Sequence, residues 1–227
     1  MKIFSAIFNK KNDNQEENYE KNSFRIVCSV FANESLTSVG VGIPIMRYNW
    51  NDVEKNGNGV QFALKEHYIF DNGFSLVADL GLGNMKIKDY YSIDWYYNGN
   101  YMYSEIEDGK AFYLNFDIGA GYALLNYQKF KLVLSALAGI GFQKYNKELT
   151  LDETTDKFVT FDAGLDLYGA FKFTQHFGAF ISCKGMYSIG KGKKEYVSKS
   201  YISQTFEEKW KLNGFMITPS AGLVICF

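Results

Sequence analysis

The chain has 227 residues and a formal net charge of −1, so its charge balance gives no electrostatic footprint for nucleic acid. Hydrophobic residues make up 47% of the chain, yet the mean hydropathy is −0.20, and no apolar run approaches the roughly 20 residues of a membrane-spanning helix. Phe (20), Tyr (17) and Gly (21) are abundant and Pro is scarce (2), a composition that favours pleated strands.

The N-terminal segment is polar for most of its length. Residues 9–22 lack the apolar content that a packed core requires. Residues 21–34 contain two basic residues, a short apolar stretch and the pattern Val30-x-Ala32, as an export signal does. We interpret them either as an imperfect export signal or as a short N-terminal strand or tether. Residues 1–35 are therefore predicted to be disordered or removed, and residues 36–227 to form the folded domain.

Alternation of apolar and polar residues with a period of two recurs from Leu36 to the end of the chain. In residues 111–126, Phe112 and Phe116 share one face of an extended strand, and Asp117 falls on the other face. The same division recurs in seven other segments, which are residues 39–45, 60–70, 74–82, 130–142, 161–173, 177–189 and 215–227. The sequence therefore predicts eight strands.

The connections between these strands alternate in length. Residues 71–73, 128–129 and 174–176 are short turns, and the first contains the hairpin signal Asn72-Gly73. Between them lie four long polar stretches, interpreted as loops, at residues 49–59, 88–110, 146–156 and 191–208. An antiparallel up-and-down barrel with long loops on one rim and short turns on the other has this order, as transmembrane barrels do.

Alternation alone does not show which face of the strands points outward. A soluble, lipocalin-like barrel encloses its apolar face, whereas a membrane barrel is apolar outside. The apolar stripes cover roughly 10–14 residues, enough for the roughly 9–11 that a tilted strand needs to cross a bilayer. Aromatic residues also flank every short turn, as they do at a membrane interface. These features predict an all-β, eight-stranded antiparallel up-and-down transmembrane β-barrel.

Charged residues on the polar face are placed so that facing strands can pair them. With the first hairpin centred on Asn72, Lys65 lies opposite Asp79, and the third hairpin brings Asp166 within one residue of Lys184. Inside a narrow lumen these pairs would offset the cost of buried charge, whereas on a wet surface they would be ordinary cross-strand pairs. We predict that Lys65 and Asp79 point into the lumen within salt-bridge distance. The same face also carries Asp117, Lys131, Asp162 and Lys172.

The phase of the alternation also makes predictions for single positions. Cys183 should face lipid and Cys226 the lumen, so no disulfide should join them. Phe227 should face lipid at the level of the short turns. Glu66 falls on the apolar face unless a bulge shifts the phase, and His67 is predicted to be a hydrogen-bonding residue of the lumen.

The last eight residues place a polar residue before a glycine and alternating hydrophobic residues, and they end on an aromatic residue. They resemble the C-terminal assembly signal of bacterial outer-membrane β-barrels, and Ser220, Gly222, Ile225 and Phe227 fit its positions. From about Leu36 onward the chain resembles the small OmpA/OmpX-type barrels, and it is also similar to outer-membrane families of spirochaetes. The resemblance implies a bacterial outer-membrane location, contact with the lipid bilayer and recognition by the barrel-assembly machinery.

The stretch most open to function is residues 89–103, DYYSIDWYYNGNYMY. Tyr and Trp supply contact area at low entropic cost, and Asn, Ser and Gly adapt to a partner, a mixture typical of binding loops. Alternatively, these aromatic residues extend two strands above the bilayer and pack on each other. The binding-loop candidates are Tyr90, Tyr91, Trp95, Tyr96, Tyr97, Tyr101 and Tyr103.

No pattern in the sequence indicates catalysis. There are two histidines, no Ser/His/Asp spacing, no glycine-rich phosphate loop and no metal-ligand cluster, so we predict no catalytic residue, cofactor or metal site. The predicted function is that of an outer-membrane barrel with a structural or surface-binding, adhesin-like role, whose extracellular loops bind a ligand outside the cell. The alternatives are a lipid-modifying barrel enzyme and a soluble lipocalin-like barrel that binds an apolar ligand.

Overall fold

The computed structural model describes residues 34–50, 53–97, 100–148, 152–198 and 205–227. They form one antiparallel sheet, and among these residues no helix is long and apolar enough to cross a membrane. The strands are β1 (Glu34–Gly42), β2 (Ile45–Trp50), β3 (Val53–Ile69), β4 (Phe74–Tyr97), β5 (Asn100–Asn126), β6 (Phe130–Glu148), β7 (Asp152–Lys172), β8 (Phe177–Ser198) and β9 (Thr205–Cys226).

The sheet closes into a ring of eight strands because β1 and β2 together act as one strand. Both pair with β3 on one side and with β9 on the other, in the same register before and after the break. The break lies at Pro44, which has no N–H to donate to the ladder, although its carbonyl still accepts a hydrogen bond from Gly59 N at 3.1 Å. The predicted eight-stranded up-and-down barrel is confirmed.

The apolar residues form an outward-facing band around the barrel. Ile181 is 69% exposed and Phe161 62%, whereas Lys65 and Asp79 are buried inside. Phe227 is 70% exposed, beside the short turns, and its backbone exchanges two hydrogen bonds with Ser35 across the closure of the ring. A charged interior and an apolar exterior are the arrangement of a membrane barrel, not of a lipocalin-like one.

The two cysteines that the structure describes face opposite sides of the wall. Cys183 is exposed on the outer surface, Cys226 is buried in the lumen, and neither forms a disulfide. Their predicted orientations are confirmed. Cys28 and the rest of the export-like segment up to residue 33 lie outside the described residues.

The prediction of four long loops is wrong. The strands run on through most of these stretches, so the described strands are separated there only by residues 51–52, 98–99, 149–151 and 199–204. Beyond the bilayer both faces of a hairpin meet water, so the apolar–polar alternation disappears although the hydrogen-bond ladder continues. The asymmetry between the rims remains: short turns lie at one end and extended hairpins at the other.

Two further differences concern β1 and the neighbouring strand β3. The first strand begins at Glu34, two residues before the predicted domain boundary at Leu36. No bulge shifts the phase at Glu66, whose register with β1 and β4 is continuous. The carboxylate of Glu66 instead accepts hydrogen bonds from Ser35 Oγ and Thr37 Oγ1, each at 2.7 Å, so the polar group on the outer face is satisfied by neighbours on β1.

The seam between β1 and β9 depends on glycine. Gly40 and Gly222 are register partners, and the ring of Phe180 packs inside the lumen over both of them. A Cβ at Gly40 would lie 2.7 Å from Phe180 Cζ, closer than van der Waals contact allows.

Replacing Gly40 by alanine should therefore lower the free energy of unfolding by about 1–3 kcal/mol. Gly169→Ala is the matched control, because the nearest neighbouring atom to a Cβ there, Ile181 Cγ1, would be 3.7 Å away. Urea unfolding in lipid vesicles would measure both variants. Equal stability of the two would contradict the packing described for the seam.

Candidate functional site

The centre of the lumen holds a compact ion network. Lys65 Nζ lies 2.7 Å from Asp166 Oδ2 and 3.1 Å from Asp79 Oδ2. Lys184 Nζ lies 3.1 Å from the same Asp79 oxygen and 2.8 Å from Asp117 Oδ2. These five residues are almost completely buried, and Asp79 joins the two halves of the network. Three carboxylates and two ammonium groups thus fill the middle of the barrel.

The partners inside this network differ from the sequence prediction at one point. Asp166 and Lys184 are direct register partners on β7 and β8, but their ion pairs cross the lumen instead of following the strands. Asp166 contacts Lys65, and Lys184 contacts Asp79 and Asp117. In a narrow barrel a long lysine side chain can reach the far wall, so adjacency on the sheet does not decide the partner.

A second ion cluster lies in the lumen near the short turns. The Glu34 carboxylate lies 2.8 Å from Lys131 Nζ and also forms an ion pair with the Lys172 ammonium group. The Lys131 ammonium group donates a further hydrogen bond to Asn126 Oδ1. Glu34 belongs to the N-terminal segment that the sequence predicts to be disordered or removed, so this cluster is not predicted. Glu34 has the same phase as the inward-facing Leu36, so the alternation extended by two residues would have found it.

The lumen on the side of the long hairpins is filled with aromatic side chains. The ring of Trp50 lies 4.4 Å from that of Tyr145 and 5.2 Å from that of Phe158, measured between centroids. Tyr113 Oη donates to Gln61 Oε1 at 2.7 Å. The alternation predicts a polar lumen face but not its aromatic filling. Tyrosine combines a large ring with a polar tip, so the alternation does not distinguish it from a small polar residue.

Together these layers close the described part of the lumen. We expect the purified barrel to show no steady ion current in planar bilayers at neutral pH, because buried ion pairs and packed aromatic rings occupy the described lumen and an eight-stranded barrel is only wide enough to hold its own side chains. An outer-membrane porin recorded in the same chamber is the positive control. A reproducible ohmic current with the barrel would contradict the closed lumen.

His67 does not make the predicted hydrogen bonds. Its ring stacks on that of Tyr168 with centroids 4.0 Å apart, and neither imidazole nitrogen has a hydrogen-bond partner among the described residues. Tyr168 Oη is instead shared with Ser38 Oγ at 2.6 Å. Within the described residues, no group of three or more His, Cys, Asp or Glu side chains is placed to hold a metal ion.

The binding-loop candidates lie on the longest hairpin, formed by β4 and β5. Their backbones pair from Met85↔Ala111 to Tyr97↔Asn100, with register shifts after Ile87 and after Trp95. The structure therefore places all seven candidates on strands and not in an open loop. Tyr90 lies in the register shift of β4 between Ile87 and Tyr91, and the other six have register partners, which are Tyr91, Trp95, Tyr96, Tyr97, Tyr101 and Tyr103. Their side chains lie outside the described part of the chain.

The four residues of the C-terminal pattern lie on β9 or directly after it. Ser220 Oγ shares a hydrogen bond with Ser182 Oγ at 2.7 Å inside the lumen, and Gly222 makes room for the ring of Phe180. Ile225 and Phe227 both point outward. Each therefore has a local structural role in addition to the assembly role that the resemblance implies.

An apolar outer band, a charged lumen and a closed eight-stranded sheet define the fold of a small transmembrane β-barrel, the fold of bacterial outer-membrane proteins of the OmpA/OmpX type. Outer membrane protein OprG from Pseudomonas aeruginosa aligns with 87% of this chain and 97% of its own, with a TM-score of 0.57 and 9% identity. A major outer membrane protein from Thermus thermophilus aligns with 85% of this chain and 99% of its own, with a TM-score of 0.49 and 14% identity.

The outer membrane protease OmpT from Escherichia coli aligns with 86% of this chain and 97% of its own, with a TM-score of 0.41 and 10% identity. No protein-family model matches the sequence, and no curated protein sequence matches it. At these identities the likeness shows the fold alone, so activity and partners have to be argued from the residues of this chain.

Proposed function

We propose that this barrel anchors a stiff β-hairpin at the cell surface, where its aromatic tip binds a partner outside the cell. The observation that carries the proposal is the pairing of β4 with β5, which continues to Tyr97↔Asn100. From Lys86↔Lys110, near the edge of the apolar band, residues 87–97 extend the hairpin by about 35 Å at roughly 3.3 Å per residue, and the pairing resumes at Tyr91 after one register shift.

A paired hairpin suits binding better than an open loop of the same length. Its backbone is already ordered, so a partner does not have to offset the entropy of ordering it. The tip is rich in Tyr and Trp, which supply large contact areas with few rotatable bonds. The ion pairs and aromatic rings in the described part of the lumen add support, because a barrel filled by its own side chains offers a partner mainly its outer surface.

The enzymatic alternative receives less support from the described residues. His67 is buried against Tyr168, away from the outer leaflet where a lipid substrate would lie. An acyl-transfer or lipase assay on the purified barrel, with His67→Ala as control, should show no activity that depends on this histidine. Activity lost in that variant would favour the enzymatic function.

The test of the proposal is to shorten the hairpin without disturbing the barrel. Residues 88–108 are replaced by Asn-Gly, which suits a tight hairpin turn between the register partners Ile87 and Gly109. Cells that display the wild-type protein should adhere to immobilised fibronectin, laminin or epithelial monolayers above the level of vector-only cells. Adhesion should fall to the vector level in the shortened variant.

The matched control replaces residues 199–204, between β8 and β9, with a Gly-Ser linker of equal length, and it should keep its adhesion. Heat-modifiable gel migration would establish that all three proteins are folded and equally abundant. The proposal fails if wild-type cells adhere no better than vector-only cells, or if the shortened variant adheres as well as the wild type.

A further inference from the structure

Two aspartates of the lumen lean over the same strand from opposite sides. Asp117 on β5 and Asp162 on β7 are both register partners of Gly139 on β6. Both side chains are buried, with at most 4% of either exposed. The next inward position on β6 is Gly141, whose partner on β7 is Thr160. With neighbouring strands roughly 4.8 Å apart, the backbones of the two aspartates are about 10 Å apart.

The two glycines keep side-chain atoms out of the space between these residues. A Cβ at Gly139 would overlap Asp117 Oδ1, and a Cβ at Gly141 would overlap Thr160 Oγ1 and lie 2.8 Å from Asp162 Oδ2. Oxygen atoms from β5 and β7 therefore surround a recess in the lumen wall above β6. We call this recess, formed by Asp117, Gly139, Gly141, Thr160 and Asp162, the β6 notch.

The oxygen atoms of the β6 notch are poorly satisfied by the described residues. Asp117 Oδ2 lies 2.8 Å from Lys184 Nζ, whereas Asp117 Oδ1, which points over Gly139, has no hydrogen-bond partner. Thr160 Oγ1 and Asp162 Oδ1 have none either, and Ser188 is a further polar neighbour of the Asp162 carboxylate. Buried oxygens without a partner carry a desolvation cost, which a bound cation would offset.

The charge balance of the central lumen also favours a cation. Between the aromatic side chains near the long hairpins and the ion cluster near the short turns, the described lumen contains four buried aspartates and two buried lysines, which leaves a formal charge of −2. The lysines contact Asp79, Asp117 and Asp166. Among the described residues, Asp162 is the aspartate of this group that has no lysine within salt-bridge distance. One divalent cation beside Asp162 would balance the charge.

We propose that the β6 notch binds a calcium ion through Asp117 Oδ1, the Asp162 carboxylate and Thr160 Oγ1, with water completing the coordination. Ca²⁺ takes oxygen ligands at about 2.3–2.6 Å, so ligands on opposite sides of the ion lie about 5 Å apart. Two carboxylates that lean inward from backbones about 10 Å apart can meet this spacing.

The donor set favours Ca²⁺ over Mg²⁺. Strand register fixes the positions of the ligands, and Ca²⁺ accepts irregular geometry, whereas Mg²⁺ demands a near-ideal octahedron. The notch supplies two carboxylates and a hydroxyl group, so it is a sparser site than a group of three acidic side chains. The bound ion would connect β5 to β7 across β6 and stiffen this part of the wall.

Calcium retained by the full chain would test the proposal. The barrel is refolded into phosphatidylcholine vesicles in millimolar ⁴⁵Ca²⁺ and then transferred to metal-free buffer, because the enclosed lumen admits an ion most readily during folding. The wild-type barrel should retain about one calcium ion, since the notch offers a single set of ligands. Asp162→Asn should lose nearly all of it, because the amide keeps the shape of the side chain and removes a charged ligand.

A second variant fills the notch without changing its charge. The added methyl group of Gly141→Ala meets only side-chain atoms of Thr160 and Asp162, which can move aside, so this variant should fold and lose the calcium. Asp166→Asn is the matched control for charge, because Asp166 contacts Lys65 and lies outside the notch. Gly169→Ala, on the outer wall, is the control for the added methyl group. Both controls should retain calcium.

The ion should also stabilise the folded barrel, because a ligand that binds only the folded state shifts the unfolding equilibrium. The wild-type barrel refolded with calcium should unfold at a higher urea concentration than the same barrel refolded with EGTA. Asp162→Asn should unfold at the same urea concentration in both conditions.

Three results would overturn the proposal. The first is a wild-type barrel that retains no calcium and unfolds at the same urea concentration with calcium and with EGTA. The second is an equal loss of calcium in Asp162→Asn and Asp166→Asn, which would assign the binding to the overall charge of the lumen. The third is full retention in folded Asp162→Asn and Gly141→Ala, which would place the ion elsewhere. Heat-modifiable migration would establish that each variant is folded.

Discussion

Replacing Lys65 by methionine should lower the free energy of unfolding by about 3–5 kcal/mol. Methionine has a similar length but no charge, so the variant leaves Asp79, Asp117 and Asp166 buried with Lys184 as the remaining ammonium group of the central network. Buried carboxylates without a cationic partner are costly because the lumen cannot solvate them. Urea unfolding in lipid vesicles, followed by tryptophan fluorescence, would measure the loss.

Substitution of the shared carboxylate Asp79 should lower the free energy of unfolding much less than substitution of Lys65, because the network has three carboxylates and two ammonium groups. Asp79→Asn leaves each lysine with its own carboxylate, Asp166 for Lys65 and Asp117 for Lys184, so a loss of about 1–2 kcal/mol is expected. The double variant Lys65→Met/Asp166→Leu should recover part of the loss of Lys65→Met, since it removes a carboxylate together with its partner. Equal losses for Lys65→Met and Asp79→Asn would contradict the arrangement of the network.

Deletion of Phe227 should reduce the amount of folded barrel in cells to a small fraction of the wild-type amount. The deletion removes the aromatic end of the proposed assembly signal and also the two backbone hydrogen bonds to Ser35, each worth about 1 kcal/mol. Phe227→Ala separates the two effects, because it keeps the backbone. If the ring is part of the signal, this variant should assemble poorly in cells yet refold normally in detergent.

The control for this experiment is Ile217→Val, a conservative change in the middle of β9 that should assemble as the wild type does. Membrane fractionation and heat-modifiable migration would give the folded amount of each variant. Equal amounts of folded Phe227→Ala and Ile217→Val barrel in cells would leave the assembly role without support.

The sequence predicts the transmembrane part of this fold because the bilayer imposes a strict rule on it. Each position in the band faces either lipid or a narrow lumen, so Ile181 and Lys184 fall on opposite faces of one strand. Beyond the band the rule no longer holds, and residues 88–97, interpreted as a loop, continue β4. Hydrogen-bond pairing extends these strands, and pairing leaves little trace in hydropathy.

The sequence predicts contacts in the lumen only between adjacent strands, where a short turn fixes the register. Lys65 and Asp79 are neighbours on adjacent strands, so the turn centred on Asn72 was sufficient to place them. Contacts across the lumen, such as Lys65 with Asp166, depend on the curvature of the closed ring, which no local pattern encodes.

The most direct test of the membrane barrel uses the native Cys183, which lies within the outer apolar band. A nitroxide is attached to Cys183 in a Cys28→Ser/Cys226→Ser variant reconstituted in vesicles, and its collision rates with oxygen and with a water-soluble nickel chelate are measured by EPR. The water-exposed reference is a nitroxide at position 193, on the same strand beyond the band. It is attached after Lys193→Cys in a variant in which serine replaces all three native cysteines. The barrel predicts high oxygen and low nickel accessibility at Cys183 and the reverse at position 193. Nickel accessibility at Cys183 equal to that at position 193 would contradict a lipid-facing outer wall.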